Sequence, residues 1–313
     1  MSTFLASLPG AVAQGIIWGI MAIGVYITFK VLDIADLTVD GSMTTGAATF
    51  VVLVTAGVNI YLSLLAAFVA GCLTGFVTGI FHVRFGIPAL LASILTQLAL
   101  YSVNLRIMGG KAGASNFPIN YRQYNLLVTL SNINKSIIVG AIFSVVLIAV
   151  LYWFFGTQFG AGVRATGCNE TMARANGINT NFNKVFGLSI SNGIVALSGA
   201  LLAQYQGSSN INMSKGAIVT GLAAVIIGEI IFGKLFKNNF ALTLLSVVFG
   251  GIIYYIVRTI VIQLGLNAND LNLFTAVIVA IFLGIPYWKS HAQGKLSRKK
   301  KKEPAMAGGA KNA

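Results

Sequence analysis

Hydrophobic runs of roughly 20 residues follow one another along most of the chain, separated by short polar stretches. An α-helix needs about 20 mostly apolar residues to cross the hydrocarbon core of a bilayer. The pattern therefore predicts an all-α fold, a polytopic membrane protein with about nine transmembrane helices. We place these helices near residues 11–29, 41–56, 61–81, 87–107, 136–155, 185–205, 216–236, 240–263 and 271–288.

Composition and charge support a membrane protein and suggest its orientation. Hydrophobic residues make up 56% of the chain and charged residues only 9%, whereas a soluble domain carries about 25% charged residues. Lys and Arg crowd residues 289–313, which we interpret as a basic, disordered cytoplasmic tail that faces anionic lipid rather than nucleic acid. An odd number of helices then puts the N-terminus outside. Residues 1–288 form the membrane domain, with an outer loop at 108–135 and a cytoplasmic loop at 156–184.

Residues 164–178 form the longest polar run between two hydrophobic segments, in the loop predicted to be cytoplasmic. Asn169 is a suitable N-cap, Glu170 and Arg174 stand one helical turn apart in the favourable order, and Gly177 suits a left-handed C-cap. These signals predict a helix of about two turns, which is too short to persist alone in water. We therefore expect a groove in a partner protein to hold it.

Polar residues in and beside the hydrophobic runs are candidates for a translocation path. Asp33, Asp36 and Asp40 follow the first run at spacings that would share one helical face. They fit two structures: a solvated cytoplasmic connection whose acids cap the next helix, or a broken, re-entrant segment with one Asp facing a transport path. The other candidates are polar groups in predicted helices, which usually face protein or water rather than lipid: Gln97, Asn104, Ser191, Asn192, Gln204 and Glu229.

The sequence shows no enzyme active site. Residues 228–235 nearly match the nucleotide-binding loop GxxxxGK[ST], but Leu235 replaces the hydroxyl residue that holds Mg²⁺, and the run is an apolar helix. His82 and His291 are far apart, and Cys72 and Cys168 have no metal-ligand spacing. We therefore expect neither catalysis nor a metal or other cofactor in this chain.

Three segments resemble the membrane permeases of bacterial ABC importers, in the group that serves branched-chain amino acids, ribose-type sugars and nucleosides. They are IADLTVDGSMTTGA at 34–47, FGAGVRATGCNETMARANGINTNFNKVFGLSISNGIVALSGALLA at 159–203 and GLAAVIIGE at 221–229. The resemblance covers nearly the whole chain. It implies a permease subunit of the bacterial inner membrane that acts with a second permease subunit, forming a homodimer. It also implies two ATPase subunits that carry the ATP and Mg²⁺, and an extracellular or periplasmic binding protein.

The resemblance also implies roles for individual residues. Residues 169–176 would be the coupling helix that docks in a cleft of the ATPase subunit, with Met172 and Ala173 as its apolar contacts. The residues expected to form this surface are Arg164, Asn169, Glu170, Met172, Ala173, Arg174 and Gly177. Basic residues on the outer side would meet acidic patches of the binding protein: Lys111, Arg122, Lys135 and Lys215.

Two departures from the sugar-transporting branch bear on the substrate. This chain has ADLTVDGS at 35–42 where that branch tends to have IDLSVGS, and Ser191-Asn192 where it has Ser-Gly. Both departures resemble permeases for amino acids, most often hydrophobic or aromatic ones, while sugars and nucleosides stay open. Two other functions also stay open. One is a non-transporting scaffold, and the other is an ion-coupled transporter that titrates Glu229, Asp33, Asp36 or Asp40.

Overall fold

The protein is an all-α bundle in this computed structural model, which describes residues 2–109, 115–119, 124, 126–236, 239–263 and five isolated positions between 273 and 284. Apart from those isolated positions, the ninth predicted transmembrane helix lies outside the described residues. The tail at 289–313, Lys111 and Arg122 also lie outside them.

The described part of the chain contains ten α-helices and one pair of short antiparallel strands. The helices are α1 (Ser2–Tyr26), α2 (Thr38–Thr55), α3 (Ile60–Val83), α4 (Ala89–Ile107), α5 (Ile133–Gly156), α6 (Gln158–Cys168), α7 (Glu170–Ala175), α8 (Thr180–Gln206), α9 (Ala217–Phe236) and α10 (Phe240–Gln263). The strands are β1 (Asn116–Pro118) and β2 (Ser208–Asn210).

Six helical segments of the described residues are long and apolar enough to cross a membrane: Ser7–Val31, α3, α4, α5, α8 and α10. They coincide with six of the predicted transmembrane helices. The second predicted helix corresponds to α2, whose first half is rich in Ser and Thr. The seventh corresponds to α9, in which the stretch Ala217–Gly233 is apolar. The all-α, polytopic prediction is confirmed, whereas the number nine and the orientation of the termini stay predictions.

Helix α8 lies at the centre of the bundle and packs against α1, α2 and α3. Glycine allows the backbones to approach closely. A Cβ atom at Gly75 of α3 would lie 2.2 Å from the carbonyl oxygen of Leu188, and one at Gly46 of α2 would lie 2.0 Å from that of Ala196. Helix positions therefore depend on the absence of side chains at these contacts.

Helices α1 and α8 run antiparallel. Ser198 donates a hydrogen bond to the carbonyl of Ile17 at 2.7 Å, and Ser191, two turns nearer the start of α8, donates to Gly24 at 2.7 Å. The end of α1 and the start of α8 therefore share one end of the bundle with α6 and α7. We call this end, which also contains Lys30 and Glu229, the α7 end.

The chain is non-helical at two places inside the bundle. Helix α1 continues as a π-helical turn, Ile27–Val31, and residues 32–37 form no helix before α2 begins. Residues 207–216 likewise separate α8 from α9 by β2 and turns. Irregular backbone at membrane depth is tolerated where protein surrounds it. Leu32, Ile34 and Asp36 are buried, whereas Asp33 and Ala35 are exposed and Asp36 accepts from the first N–H of α2. The helix is therefore broken here, and a re-entrant course of this segment stays a prediction.

Candidate functional site

Helix α7 has the local structure that the sequence predicts. The Asn169 side chain accepts a hydrogen bond from the backbone N–H of Met172 at 3.0 Å, as an N-cap residue does. Gly177 closes the helix with a φ of 78°, in the left-handed region that glycine favours. The predicted short helix and both caps are therefore confirmed.

Helix α7 is held by its own chain. The carboxylate of Glu170 pairs with Arg174 at 2.7 Å and with Lys184 of α8 at 2.7 Å. Arg174 also donates to the Thr180 hydroxyl at 2.7 Å. The bond from Lys184 is the main reason why the pKa of Glu170 lies below its usual range. These contacts anchor α7 to the start of α8 within its own chain, and docking of the helix in a partner's groove stays a prediction.

Fewer apolar residues of α7 are exposed than the sequence suggests. Met172 is 65% exposed, whereas Ala173 is only 3% exposed because it packs against its own chain. Of the two apolar residues expected at a docking surface, only Met172 is therefore accessible. The Arg164 guanidinium lies away from α7 and donates from Nη2 to the carbonyl of Phe155 at 2.9 Å.

Helix α6 touches the broken end of the first helix. A Cβ atom at Gly167 would lie 1.8 Å from the carbonyl oxygen of Val31, well inside contact distance. On the other side of the same segment, a Cβ atom at Gly187 of α8 would lie 2.5 Å from the Leu32 side chain. Val31 and Leu32, at the end of the first helix, therefore pack between α6 and α8.

Asp36 lies at the centre of a buried hydrogen-bond network. Its carboxylate accepts from the backbone N–H of Thr38 at 2.8 Å and from the Asn192 amide at 2.7 Å. The Asn192 carbonyl oxygen accepts in turn from Ser42 at 2.5 Å, and Ser42 bonds to Thr74 at 2.9 Å. The network joins the start of α2 to α3 and α8. Asp36 and Asn192, both expected in a path, are thus bonded within the protein.

Asp40 connects the two interrupted regions. One carboxylate oxygen accepts from the N–H of Gly216 at 3.2 Å and the other from that of Ile218 at 3.1 Å. A carboxylate at this position satisfies backbone donors at the start of α9 and complements the helix dipole. The beginnings of α2 and α9 therefore meet at Asp40, which is partly buried.

A cavity of about 220 Å³ adjoins this junction. Charged and polar side chains line it beside apolar ones: Asp40, Thr44, Ile94, Gln97, Leu98, Tyr101, Asn104, Ile211, Ser214 and Lys215, with Gly41. Asn104 donates to the carbonyl of Gly41 at 3.2 Å and accepts from Thr45 at 2.8 Å. The cavity thus brings together three of the predicted path residues, and it adds Lys215, which was expected only at the outer face. We call it the Asp40 cavity.

The remaining predicted path residues lie elsewhere. Ser191 bonds to α1, and the Gln204 carbonyl oxygen accepts from the N–H of Leu127 at 3.1 Å. Glu229 pairs with Lys30 at 2.9 Å, where both side chains are about one-third exposed. Asp33 is exposed and has a φ of 55°, in a turn beside the α7 end. These positions make structural contacts or lie at the surface, and the structure does not bring them to the Asp40 cavity.

Several contributing residues were missed by sequence reasoning. Lys184 anchors α7, Lys30 pairs with Glu229, and Thr44 and Ser214 line the Asp40 cavity. No local sequence pattern distinguishes these residues, because their partners are distant in the sequence and come close only in the folded chain. Lys135 is exposed at the start of α5, as expected for a surface residue. Within the described residues, no group of His, Cys, Asp and Glu side chains could hold a metal ion.

Comparisons with known proteins agree on one family. A family model described as the branched-chain amino acid transport system permease component matches residues 8–286. A tyrosine transport system permease protein of Clostridioides difficile is 37% identical over 279 residues, which cover 89% of this chain and 91% of that protein. An uncharacterized protein of Rickettsia prowazekii is 31% identical over 87% of this chain and 95% of its own length.

A more distant relative has a different named substrate. An autoinducer 2 import system permease protein of Salmonella typhimurium is 27% identical over 67% of this chain and 59% of its own length. Together with the apolar helices, these matches identify a transport component rather than an enzyme. The chain therefore belongs to the branched-chain amino acid and ribose-type family of ABC importer permeases, which are multi-pass proteins of the bacterial inner membrane.

Proposed function

We propose that this permease imports an amino acid with an apolar or aromatic side chain. The observation that carries the proposal is the Asp40 cavity, which has a carboxylate and an ammonium group on its wall together with Tyr101. A zwitterionic amino acid has the complementary pair of charges, and an aromatic ring suits an apolar side chain. The named function of the 37% identical relative, tyrosine transport, supports the same substrate class.

The second part of the proposal concerns the energy source. Helix α7 presents Met172 to a cleft of an ATPase subunit, and that subunit carries ATP and Mg²⁺. The contact of Gly167 with Val31 supports this arrangement. If α6 and α7 move, this contact moves the broken segment that contains Asp36 and leads into α2, where Asp40 lies. ATP binding shifts the permease between conformations only if those conformations differ in their contact with the ATPase, and an exposed apolar anchor supplies such a contact.

A second copy of this chain would complete the path. Leu91, Leu95, Leu98 and Tyr101 form an exposed face of α4, and the last two also line the Asp40 cavity. In a homodimer built on this face, each Asp40 cavity would open toward the partner rather than toward lipid. Two ATPase subunits would then dock, one on each α7. A binding protein would contact Lys111, Arg122 and Lys135, while Lys215 would face the substrate in the Asp40 cavity.

Uptake into proteoliposomes tests the proposed substrate and energy source. The permease is reconstituted with its ATPase subunits and the binding protein encoded with it, and uptake of labelled tyrosine is measured with and without ATP inside. We expect ATP-dependent uptake that unlabelled phenylalanine or leucine reduces and that ribose or adenosine leaves unchanged. If only ribose or adenosine competed, the proposed amino-acid substrate would be refuted. Uptake that follows a proton gradient without ATP would refute the proposed ATP-driven mechanism.

A substitution pair tests the role of α7. Met172→Asp places a charge where an apolar contact is proposed, so we expect normal membrane insertion but at least tenfold lower ATP-driven uptake, equivalent to about 1.4 kcal/mol of lost contact energy. Thr171→Asp adds the same charge one position earlier and serves as the control. Equal uptake by the two variants would contradict the proposal.

A further inference from the structure

We propose that Arg164 and the last turn of α5 form a binding site for an anionic phospholipid headgroup. The site is separate from both the Asp40 cavity and Met172. It lies at the α7 end, and its assignment to the cytoplasmic leaflet rests on the orientation used in the proposed function. A cavity of about 470 Å³ lies at this site, and it is lined by Tyr152, Trp153, Phe155, Gly156, Thr157, Arg164 and Phe240.

The position of this cavity along α5 indicates the headgroup level of the bilayer. Helix α5 is an apolar membrane-spanning helix that ends at Gly156. Trp153, in its last turn, is 72% exposed, and Tyr152 beside it is also exposed. Trp and Tyr are enriched at the membrane interface, because their rings lie among apolar chains while their polar atoms meet headgroups. The cavity therefore opens where phospholipid headgroups lie.

Among the described residues, the charge at this cavity is positive and has no acidic partner. Arg164 belongs to none of the ion pairs found among the described residues, and the cavity lining contains no acidic side chain. Within the part of the chain that the structure describes, one hydrogen bond, from Nη2 to the Phe155 carbonyl at 2.9 Å, holds the guanidinium at the end of α5. Guanidinium has five N–H donors in a planar arrangement that matches phosphate oxygens. The remaining donors thus suit a phosphodiester.

The observations favour lipid over an acidic residue of the ATPase subunit as the occupant of this site. The exposed aromatic pair belongs to α5, a membrane-spanning helix. Met172, the contact proposed for the ATPase subunit, lies on α7 instead. Basic pockets beside transmembrane helices on the cytoplasmic side bind anionic headgroups. Helix α6, which carries Arg164 and reaches Val31 through Gly167, would then be held at the membrane surface by the bound lipid.

The test is lipid binding by the purified full-length permease, measured by native mass spectrometry without ATPase or substrate. Phosphatidylglycerol and phosphatidylcholine with the same acyl chains are titrated separately. We expect Arg164→Gln to weaken phosphatidylglycerol binding about fivefold and to leave phosphatidylcholine binding unchanged. Arg84→Gln removes the same charge from an exposed arginine that follows α3. This control should leave both affinities unchanged.

A second variant keeps the test decisive if Arg164→Gln does not fold. Thr157 caps α6 by accepting from the N–H of Gly160 at 3.3 Å, and Asp is an equally good cap. Thr157→Asp therefore keeps the cap of α6 but loses the bond that the Thr157 hydroxyl donates to the Phe154 carbonyl at 2.6 Å. Because it adds a negative charge to the cavity, it should also weaken phosphatidylglycerol binding.

Three outcomes would overturn the proposal. Unchanged lipid preference in both variants, or an equal loss in Arg84→Gln, would show that this cavity is not the binding site. Displacement of the lipid by millimolar inorganic phosphate would show a general anion site instead. Loss of ATPase co-purification with intact lipid binding in Arg164→Gln would assign the residue to the partner protein. None of these results depends on substrate transport.

Discussion

The contact between Gly167 and Val31 gives a quantitative prediction for Gly167→Ala. The added methyl group would lie 1.8 Å from the Val31 carbonyl oxygen and 2.9 Å from the Leu32 Cα atom. An ordinary carbon–oxygen contact is about 3.3 Å or longer. Because both neighbours are backbone atoms, a side-chain rotation does not relieve the overlap, and α6 or the broken segment must move by more than about 1 Å.

The magnitude follows from two opposing effects. Overpacking of a well-packed region costs about 3 kcal/mol at the upper end of its usual range, and replacement of glycine within a helix recovers about 1 kcal/mol. An unfolding entropy of about 2.1 cal/mol/K per residue over 313 residues makes 1 kcal/mol equivalent to about 1.5 °C. The net loss of about 2 kcal/mol should therefore lower the midpoint of thermal unfolding by about 3 °C. Because α6 adjoins α7, we also expect ATP-driven uptake to fall more steeply than the fraction of folded protein.

Gly162→Ala is the matched control, since it lies on the same helix. Its added methyl group would lie 3.1 Å from the Asn183 side-chain nitrogen, which donates to Thr166 and has to shift by only a few tenths of an ångström. We expect this variant to unfold at the wild-type temperature or slightly above it. Both variants are measured by circular dichroism in nanodiscs. Coincident unfolding curves for the two would refute the claim that Gly167 is a close backbone contact.

Two further predictions concern buried and exposed polar groups. Asn192→Ala removes the amide that donates to Asp36, and since an unsatisfied buried group costs about 1–3 kcal/mol, the unfolding midpoint should fall by several degrees. Ser189→Ala, which loses only a bond within its own helix, should change little, and equal shifts would contradict the network. Lys184 lowers the pKa of Glu170, so the stabilisation of α7 is present above the usual glutamate pKa and is lost as pH falls through the lowered pKa. Hydrogen exchange, corrected for intrinsic rates, should show that loss of protection in α7, and Glu170→Gln should show low protection already at neutral pH.

Local features of this chain were predictable from the sequence. The caps of α7 depend on residues within a few positions of one another, so Asn169 and Gly177 identify both ends of that helix. The long apolar helices follow from hydropathy in the same way. Hydropathy also predicted the approximate bounds of α2. It does not predict which neighbouring helices the start of α2 packs against.

The site depended on contacts between distant segments. Asp36 and Asn192 are both conspicuous polar residues, but 156 positions separate them, and only the fold shows that each satisfies the other. Lys215 was assigned to the outer surface from its charge, whereas the turns before α9 bring it to the same cavity as Asp40. A residue's type predicts that it needs a partner, and the tertiary structure determines which partner it finds.

The bond between Asp36 and Asn192 has a consequence for how the chain enters the membrane. Asp36 precedes α2, and its partner is synthesised only after α3 to α7. Until then, the carboxylate and the Ser- and Thr-rich start of α2 have no partner on α8, and exposure of these groups to lipid is unfavourable. The beginning of α2 therefore has to stay in water, in the translocation machinery or against a chaperone until α8 arrives. Helices α1 and α8 can insert from their own hydropathy, but α2 reaches its final depth only as a late step of assembly.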